Sequence, residues 1–237
     1  MANPYFKFKR FTVWHDKCAM KVNTDGALLG AWADTCGKRR ILDVGTGTGL
    51  IALMIAQRSE AIIDAIDIDK DAYEQAKENI SLSPFNGRIH AHHCMLSEYE
   101  VDDNIKYDLI VSNPPYFINS LKCPDNKRNM ARHTDTLSIP DLLSDSKKLL
   151  AEDGSIALIT PFDQREYIID NAARLSLYPN KETHVSSLSG TAPKRLLMEL
   201  SSRVVAGNTI SNLTIEMVRG EFTDQFTSMM KEYYLNM

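Results

Sequence analysis

The hydrophobic pattern of the chain starts irregular and becomes regular near residue 40. Residues 6–14 alternate partly between apolar and polar, which predicts a short strand or hairpin arm. Thr24-Asp25-Gly26 then opens the apolar stretch ALLGAWA, which reads as a short helix with a polar cap. Beyond that, apolar runs at 41–44, 62–66, 107–112 and 156–160, with a weaker one at 88–93, predict strands. Helical spacing predicts helices over 50–58 and, with an amphipathic pattern, over 69–82. Another helix starts at Ser138-Ile139-Pro140-Asp141, with Pro140 near N1 where its missing N–H costs little, runs to about residue 152 and stops at Gly154. After Gln164 a helical pattern continues to about residue 177. Strand-like runs follow at 183–185, 196–200 and 213–218, and a helical tail at 224–235. Strands alternating with helices predict βαβ units and a parallel sheet covered on both faces.

Composition narrows this only a little. The 237 residues suit one medium domain, and 43% hydrophobic with 24% charged residues is an ordinary globular balance. No apolar stretch approaches the roughly 20 residues of a membrane span, and the opening MANPYFKFKR has no apolar core of a secretory signal. A cytoplasmic protein with no membrane partner is expected. Cys18, Cys36, Cys94 and Cys123 are scattered and suggest reduced thiols. The net charge of −4 is uneven: residues 1–40 carry +5 and the rest −9. A basic arm on an acidic body can hold a phosphate backbone, because binding depends on the local field. Lys7, Lys9 and Arg10 are its candidate contacts.

Chemistry concentrates in three places. Asp43-Val44-Gly45-Thr46-Gly47-Thr48-Gly49 lies between a strand and a helix, where glycines let a ligand rest on the backbone. Position 50 is Leu, so the dinucleotide fingerprint GxGxxG fails. Asp67, at the end of the second strand of the regular region, can accept ribose hydroxyls. The third place is Asn113-Pro114-Pro115-Tyr116, directly after the strand at 107–112. The lone pair of an exocyclic amine is delocalised into its ring. An Asn carboxamide oxygen and a backbone carbonyl, accepting the two N–H hydrogens, would draw that nitrogen toward sp³. The prolines hold the turn rigid, and Tyr116 offers a ring for stacking a planar substrate.

With these residues in view, the chain resembles the bacterial tRNA(Val) adenine-N6 methyltransferase family. Residues 41–160 look like a class I methyltransferase domain with an N-P-P-Y motif, behind a basic segment at 1–40; the domain would extend over 41–237. The flanks sharpen the resemblance: Phe6-Lys7-Phe8-Lys9-Arg10-Phe11, Met20-Lys21-Val22-Asn23-Thr24-Asp25, Ala131-Arg132-His133-Thr134, Ala192-Pro193-Lys194-Arg195 and Gly220-Glu221-Phe222-Thr223. The resemblance implies a Rossmann-like α/β fold with a mostly parallel seven-stranded sheet, the cofactor S-adenosyl-L-methionine and a tRNA partner. It implies that Asp43, Gly45, Gly47 and Gly49 line the methionine part of the donor, that Asp67 holds the ribose and Ile68 the adenine, and that Lys21 and Thr24 lie in a segment closing over the cofactor. Asn113 and Pro114 would grip the amine, with Pro115 stiffening the turn. The chain departs from many related enzymes after the weak strand, where His93-Cys94-Met95-Leu96 lacks the carboxylate that binds the donor's adenine; a backbone carbonyl or Ser97 would have to substitute.

Other readings stay in view. His90, His92, His93 and Cys94 resemble a metal cluster, but His93 points away from the other two histidines on a strand and no second pair is nearby, so no metal is expected. Lys127, Arg128 and Arg132, in the basic segment 122–132, are candidate RNA contacts. Tyr233-Tyr234-Leu235 suit core packing more than a base-stacking platform, and a monomer is expected. The rival activities are glutamine-N5 methylation of a protein, guanine-N2 methylation of rRNA, and non-catalytic RNA binding on a methyltransferase scaffold.

Overall fold

The computed structural model describes residues 3–18, 20–102, 104–115, 137–203 and 207–237. The aromatic, alternating start forms a hairpin of β1 (Tyr5–Lys7) and β2 (Thr12–Trp14), with Tyr5 opposite Trp14. Helix α1 (Thr24–Trp32) follows. Its cap is Asn23, whose side chain accepts from the Gly26 amide at 2.8 Å, satisfying one of the helix's orphan donors.

The regular region builds one sheet from β3 (Arg40–Val44), β4 (Ile62–Asp67), β5 (Ile89–His93), β6 (Tyr107–Ser112), β7 (Leu150–Pro161), β8 (Tyr178–Leu188), β9 (Arg195–Ser201), β10 (Thr209–Val218) and β11 (Glu221–Phe222). Their order is β11-β10-β8-β9-β7-β6-β3-β4-β5. The stretch β5 to β8 is the expected seven-stranded sheet. Strands β10 and β11 extend it to nine among the described residues. Strands β3 to β7 run parallel, β9 runs against both β7 and β8, and β10 lies parallel to β8.

Near-continuous apolar runs such as Leu109-Ile110-Val111 suit strands buried on both faces. Successive residues feed opposite layers: Ile41 joins the core beneath α1, α2 (Leu50–Arg58), α3 (Lys70–Ser81) and α6 (Asp224–Met230). Leu42 joins the core beneath α4 (Ile139–Leu149) and α5 (Arg165–Arg174). No helix among the described residues is long and apolar enough to cross a membrane.

One boundary differs from the sequence reading. Helix α4 ends at Leu149, not near residue 152, and Gly154 lies inside β7. Leu150 pairs with Tyr107 while Ser155 pairs with Leu109, so β7 bulges between them. A Cβ on Gly154 would stand 2.8 Å from the Tyr107 carbonyl oxygen. This glycine permits a close backbone approach and does not stop a helix.

The first and last described segments meet on the α2–α3 layer. Phe8 bridges Tyr234, and the Lys9 amide donates to Tyr233 O at 2.8 Å. The Lys9 ammonium donates to Lys231 O and, at 2.9 Å, to Met237 O. Arg10 donates to Gln57 O and lies over the Phe85 ring. Two of the three arm cations expected to meet RNA are thus engaged within the protein. Lys7 is exposed on β1. The tail itself is helical only to Met230; Tyr233 is buried, its hydroxyl donating to Met54 O at 3.2 Å.

Candidate active site

Strand register brings the three chemical segments to one edge. Val44 at the end of β3 pairs with Ile66 of β4 on one side and Ser112 of β6 on the other. The Ser112 hydroxyl fastens the second pair by donating to Val44 O at 2.8 Å. The glycine loop, Asp67 and Asn113 therefore leave neighbouring strands at the same level, at the carboxyl edge where open α/β sheets bind ligands.

The loop turns through Gly45, Gly47 and Gly49 with φ of 69°, 58° and 79°, a left-handed conformation that L side chains resist. The Gly45 and Thr46 amides anchor it on Ile66 O at 2.9 and 3.0 Å. A Cβ on Gly45 or Gly47 would meet nothing within 4 Å, so their faces are open to a ligand, whereas Gly49 backs onto Ala76 at 3.5 Å. Asp43 lies fully buried beneath the loop. Its Oδ2 accepts from Thr46 Oγ1 at 2.7 Å and from the Ala52 amide at 3.2 Å. Its Oδ1 is buried with no partner among the described residues. Burial pushes its carboxyl up to about 7, against those two hydrogen bonds.

Asp67 closes the loop from the side. Its Oδ2 accepts from the Gly47 amide at 2.8 Å and its Oδ1 from the Asp69 amide at 2.9 Å. Burial raises its carboxyl as well. Each oxygen keeps a second lone-pair direction for a hydroxyl donor. Ile68 is exposed just beyond it, and the His93 ring meets Ile68 O at 2.9 Å. The segment lacking the usual carboxylate runs alongside: the Cys94 amide donates to Asp67 O at 3.1 Å, and Ser97 is exposed in a short 3-10 turn (Leu96–Glu98). Asn113 is half-buried at the end of β6, Pro114 is buried and Pro115 exposed. Tyr116, Lys127, Arg128 and Arg132 lie outside the described residues.

Lys21 is exposed, and Thr24 starts α1 beside the loop: a Cβ on Gly26 would come within 3.2 Å of Leu50, the first residue after it. His92 meets Asp64 at 2.9 Å, and no metal-holding group of three or more His, Cys, Asp or Glu occurs among the described residues. Among those residues the cysteines, Cys18, Cys36 and Cys94, are free thiols.

The open glycine faces, the orphan Asp43 oxygen and the spare lone pairs of Asp67 fit a ligand that carries a cationic group and a ribose. A model of the methyltransferase small domain matches residues 18–167. The tRNA1(Val) (adenine(37)-N6)-methyltransferase of Parabacteroides distasonis is 66% identical over the whole of both chains. The chain belongs to that family. The enzyme of the same name from Phocaeicola vulgatus is 47% identical, again over the whole of both chains. Among solved structures, a predicted O-methyltransferase of Agrobacterium tumefaciens superposes with a TM-score of 0.68 at 20% identity, over 88% of this chain and 96% of that one. A ribosomal protein L11 methylase of Lactobacillus delbrueckii does so with 0.54 at 22%, over 76% and 77%. These two share the class I methyltransferase fold.

Three supporting residues of this family member escaped the sequence reading. Asn79 of α3 is fully buried; its amide donates to Trp14 O at 2.8 Å and to Thr48 O at 2.9 Å, while its oxygen accepts from the Trp14 amide at 2.9 Å. It ties the arm to the glycine loop. Its signal was a polar residue in phase with Ala72, Ala76 and Ile80 on the buried stripe of an amphipathic helix. Arg195 Nε meets Asp25 Oδ2 at 2.8 Å, joining β9 to the start of α1. Nothing local announces that pairing.

Proposed function

We propose that the protein transfers the methyl group of S-adenosyl-L-methionine to N6 of adenine 37 in tRNA(Val), the reaction named for its relatives. The observation that carries this reading is the register that pairs Ser112 with Val44, so that Asn113 leaves β6 beside the start of the glycine loop. Bound there, the sulfonium donor supplies an activated methyl group with a neutral leaving group. Gly45 and Gly47 receive its methionine part on open backbone, Asp43 Oδ1 offers an acceptor for its cationic end, and Asp67 accepts from its ribose. Lys21 and Thr24 close over it, and Ile68 covers its adenine. Asn113 and the backbone at Pro114 accept the two hydrogens of the target amine, so its lone pair turns toward the methyl group. Pro115 keeps that turn rigid and Tyr116 stacks on the base. Because the nitrogen gathers positive charge as the bond forms, these acceptors hold it most strongly in the transition state. Lys7, Lys127, Arg128 and Arg132 meet the tRNA backbone. The protein works in the cytoplasm, on its tRNA, without a metal.

Incubation with labelled donor and tRNA, followed by nucleoside mass spectrometry, tests the reading. N6-methyladenosine is the expected product; a tRNA left unlabelled, or labelled on another nucleoside, would overturn the reading. Asn113→Ala is expected to slow single-turnover transfer about 100- to 1000-fold while leaving donor binding in place. Retention of more than about a tenth of the rate would remove Asn113 from the catalytic centre.

A further inference from the structure

A second concave site lies on the same edge of the sheet, beyond the strands that carry the catalytic segments. Strand β8 runs parallel to β7 because both run against β9, and β10 runs parallel to β8. Val185 near the end of β8, Ile215 near the end of β10 and Lys194 just before β9 therefore face the edge that carries Asn113. Together with Thr24, Leu28 and Phe222 they line a cleft of about 360 Å³. Three strand spacings separate β6 from β8, about 14 Å. Helix α1 stands between the cleft and the glycine loop: Thr24 lines the cleft, while Gly26, two residues on, lies against Leu50.

Its chemistry is that of a nucleotide pocket. Leu28 and Val185 make a buried apolar floor. Phe222 stands at the cleft 46% exposed, its ring 5.0 Å from that of Phe226. Lys194 is exposed, and its ammonium has no polar partner among the described residues, while its backbone is clamped by Val185 O at 2.8 Å and by the Phe162 amide at 3.1 Å. The Asp25 carboxylate beside it is neutralised by Arg195, which removes a charge that would repel phosphate. Glu216, also in the lining, can accept an N–H from a base. An exposed ring and a clamped lysine with a free head suit a base and its phosphate; single-stranded RNA is held by stacking and charge of this kind.

We propose that this cleft is a second nucleotide subsite, which takes a nucleotide of the same RNA a few positions away from the target adenine, with Phe222 against its base and Lys194 on its phosphate. The proposal rests on the reading of the protein as a tRNA methyltransferase and adds a specificity-determining contact to it. A nucleotide seated there fixes how the RNA lies across the sheet edge, and so which adenine of a loop reaches the N-P-P-Y turn.

Lys194→Ala and Phe222→Ala, made separately, test it by tRNA binding in a salt series, single-turnover transfer and calorimetry with the donor. Phe222→Ala should weaken tRNA binding about 5- to 150-fold, with Phe222→Tyr restoring most of it. Lys194→Ala should lower the slope of log K against log salt by about 0.7 to 0.9. Donor affinity should match the parent in all three. Unchanged tRNA affinity and slope in both alanine variants overturns the subsite, and so does an equal loss of donor binding, which would make these residues scaffold. If the parent protein methylates no adenine in tRNA while the variants still bind tRNA more weakly, the functional reading fails and the subsite stands.

Discussion

Asp43 holds its carboxyl in a fully buried setting. Unfolded, its carboxyl titrates near 3.8; folded, burial holds its proton up to about 7. Between those values the folded state binds more protons than the unfolded chain, so this group's contribution to stability falls as pH rises through the window and levels off above it. Urea denaturation of the parent and of Asp43→Asn, at about pH 5 and about pH 8, should show the parent losing ground to the variant at the higher pH. A pH-independent difference would mean that Asp43 is ionised throughout. At this scale the glycine loop, Asp67 and Asn113 were legible because each site's chemistry sits in consecutive residues flanked by a strand. The roles of Asn79 and of the Asp25–Arg195 pair were not, since each is defined by a partner far away in the chain. Asp43, expected to line the ligand, lies buried under the loop, with Oδ1 unpartnered among the described residues.

Elements were readable where burial is two-sided and hidden where pairing is polar. The helix over Leu50–Arg58 and the strand over Tyr107–Ser112 match their apolar spacing residue for residue. Strand β8 extends over Tyr178–Leu188, well beyond the three residues its apolar pattern marks, because backbone pairing to β9 and β10 includes Lys181 and Glu182, with a bulge at Asn180. The same holds at the start of β10, where Thr209 to Asn212 are polar or exposed yet paired. The end of α4 was misplaced because Leu149-Leu150-Ala151 stays apolar across the boundary, which Tyr107 sets from the neighbouring strand. Helix α3 couples two elements through one side chain. Asn79→Ala would leave the Trp14 and Thr48 backbone groups short of partners, a cost of about 1–3 kcal/mol for each group left unsatisfied. Thermal unfolding should register that loss, and calorimetry should find weaker donor binding because the loop loses its brace. Parent-like donor affinity would mean that the loop keeps its shape without the arm.

Across the whole molecule, opposite ends of the sequence are packed as one unit. The arm rests on Tyr233, Tyr234 and Lys231, and the family resemblance in the flanks gave no sign of this contact. Periodicity reports which face of an element is buried, not which distant segment covers it. Tyr233→Ala should cost about 3–5 kcal/mol as a buried aromatic truncation. It should also release the arm, so that limited trypsin digestion followed by mass spectrometry finds cleavage after Lys7, Lys9 or Arg10 before any cut in the sheet. An unchanged order of cuts would show the arm to be held by α3 alone. The same contact sets a schedule for synthesis. A two-stranded ribbon is marginal by itself in water, and the partners of this one are translated more than 200 residues later. The arm is thus among the last parts to find its place, since it docks on residues 231–237 only once they have joined the fold.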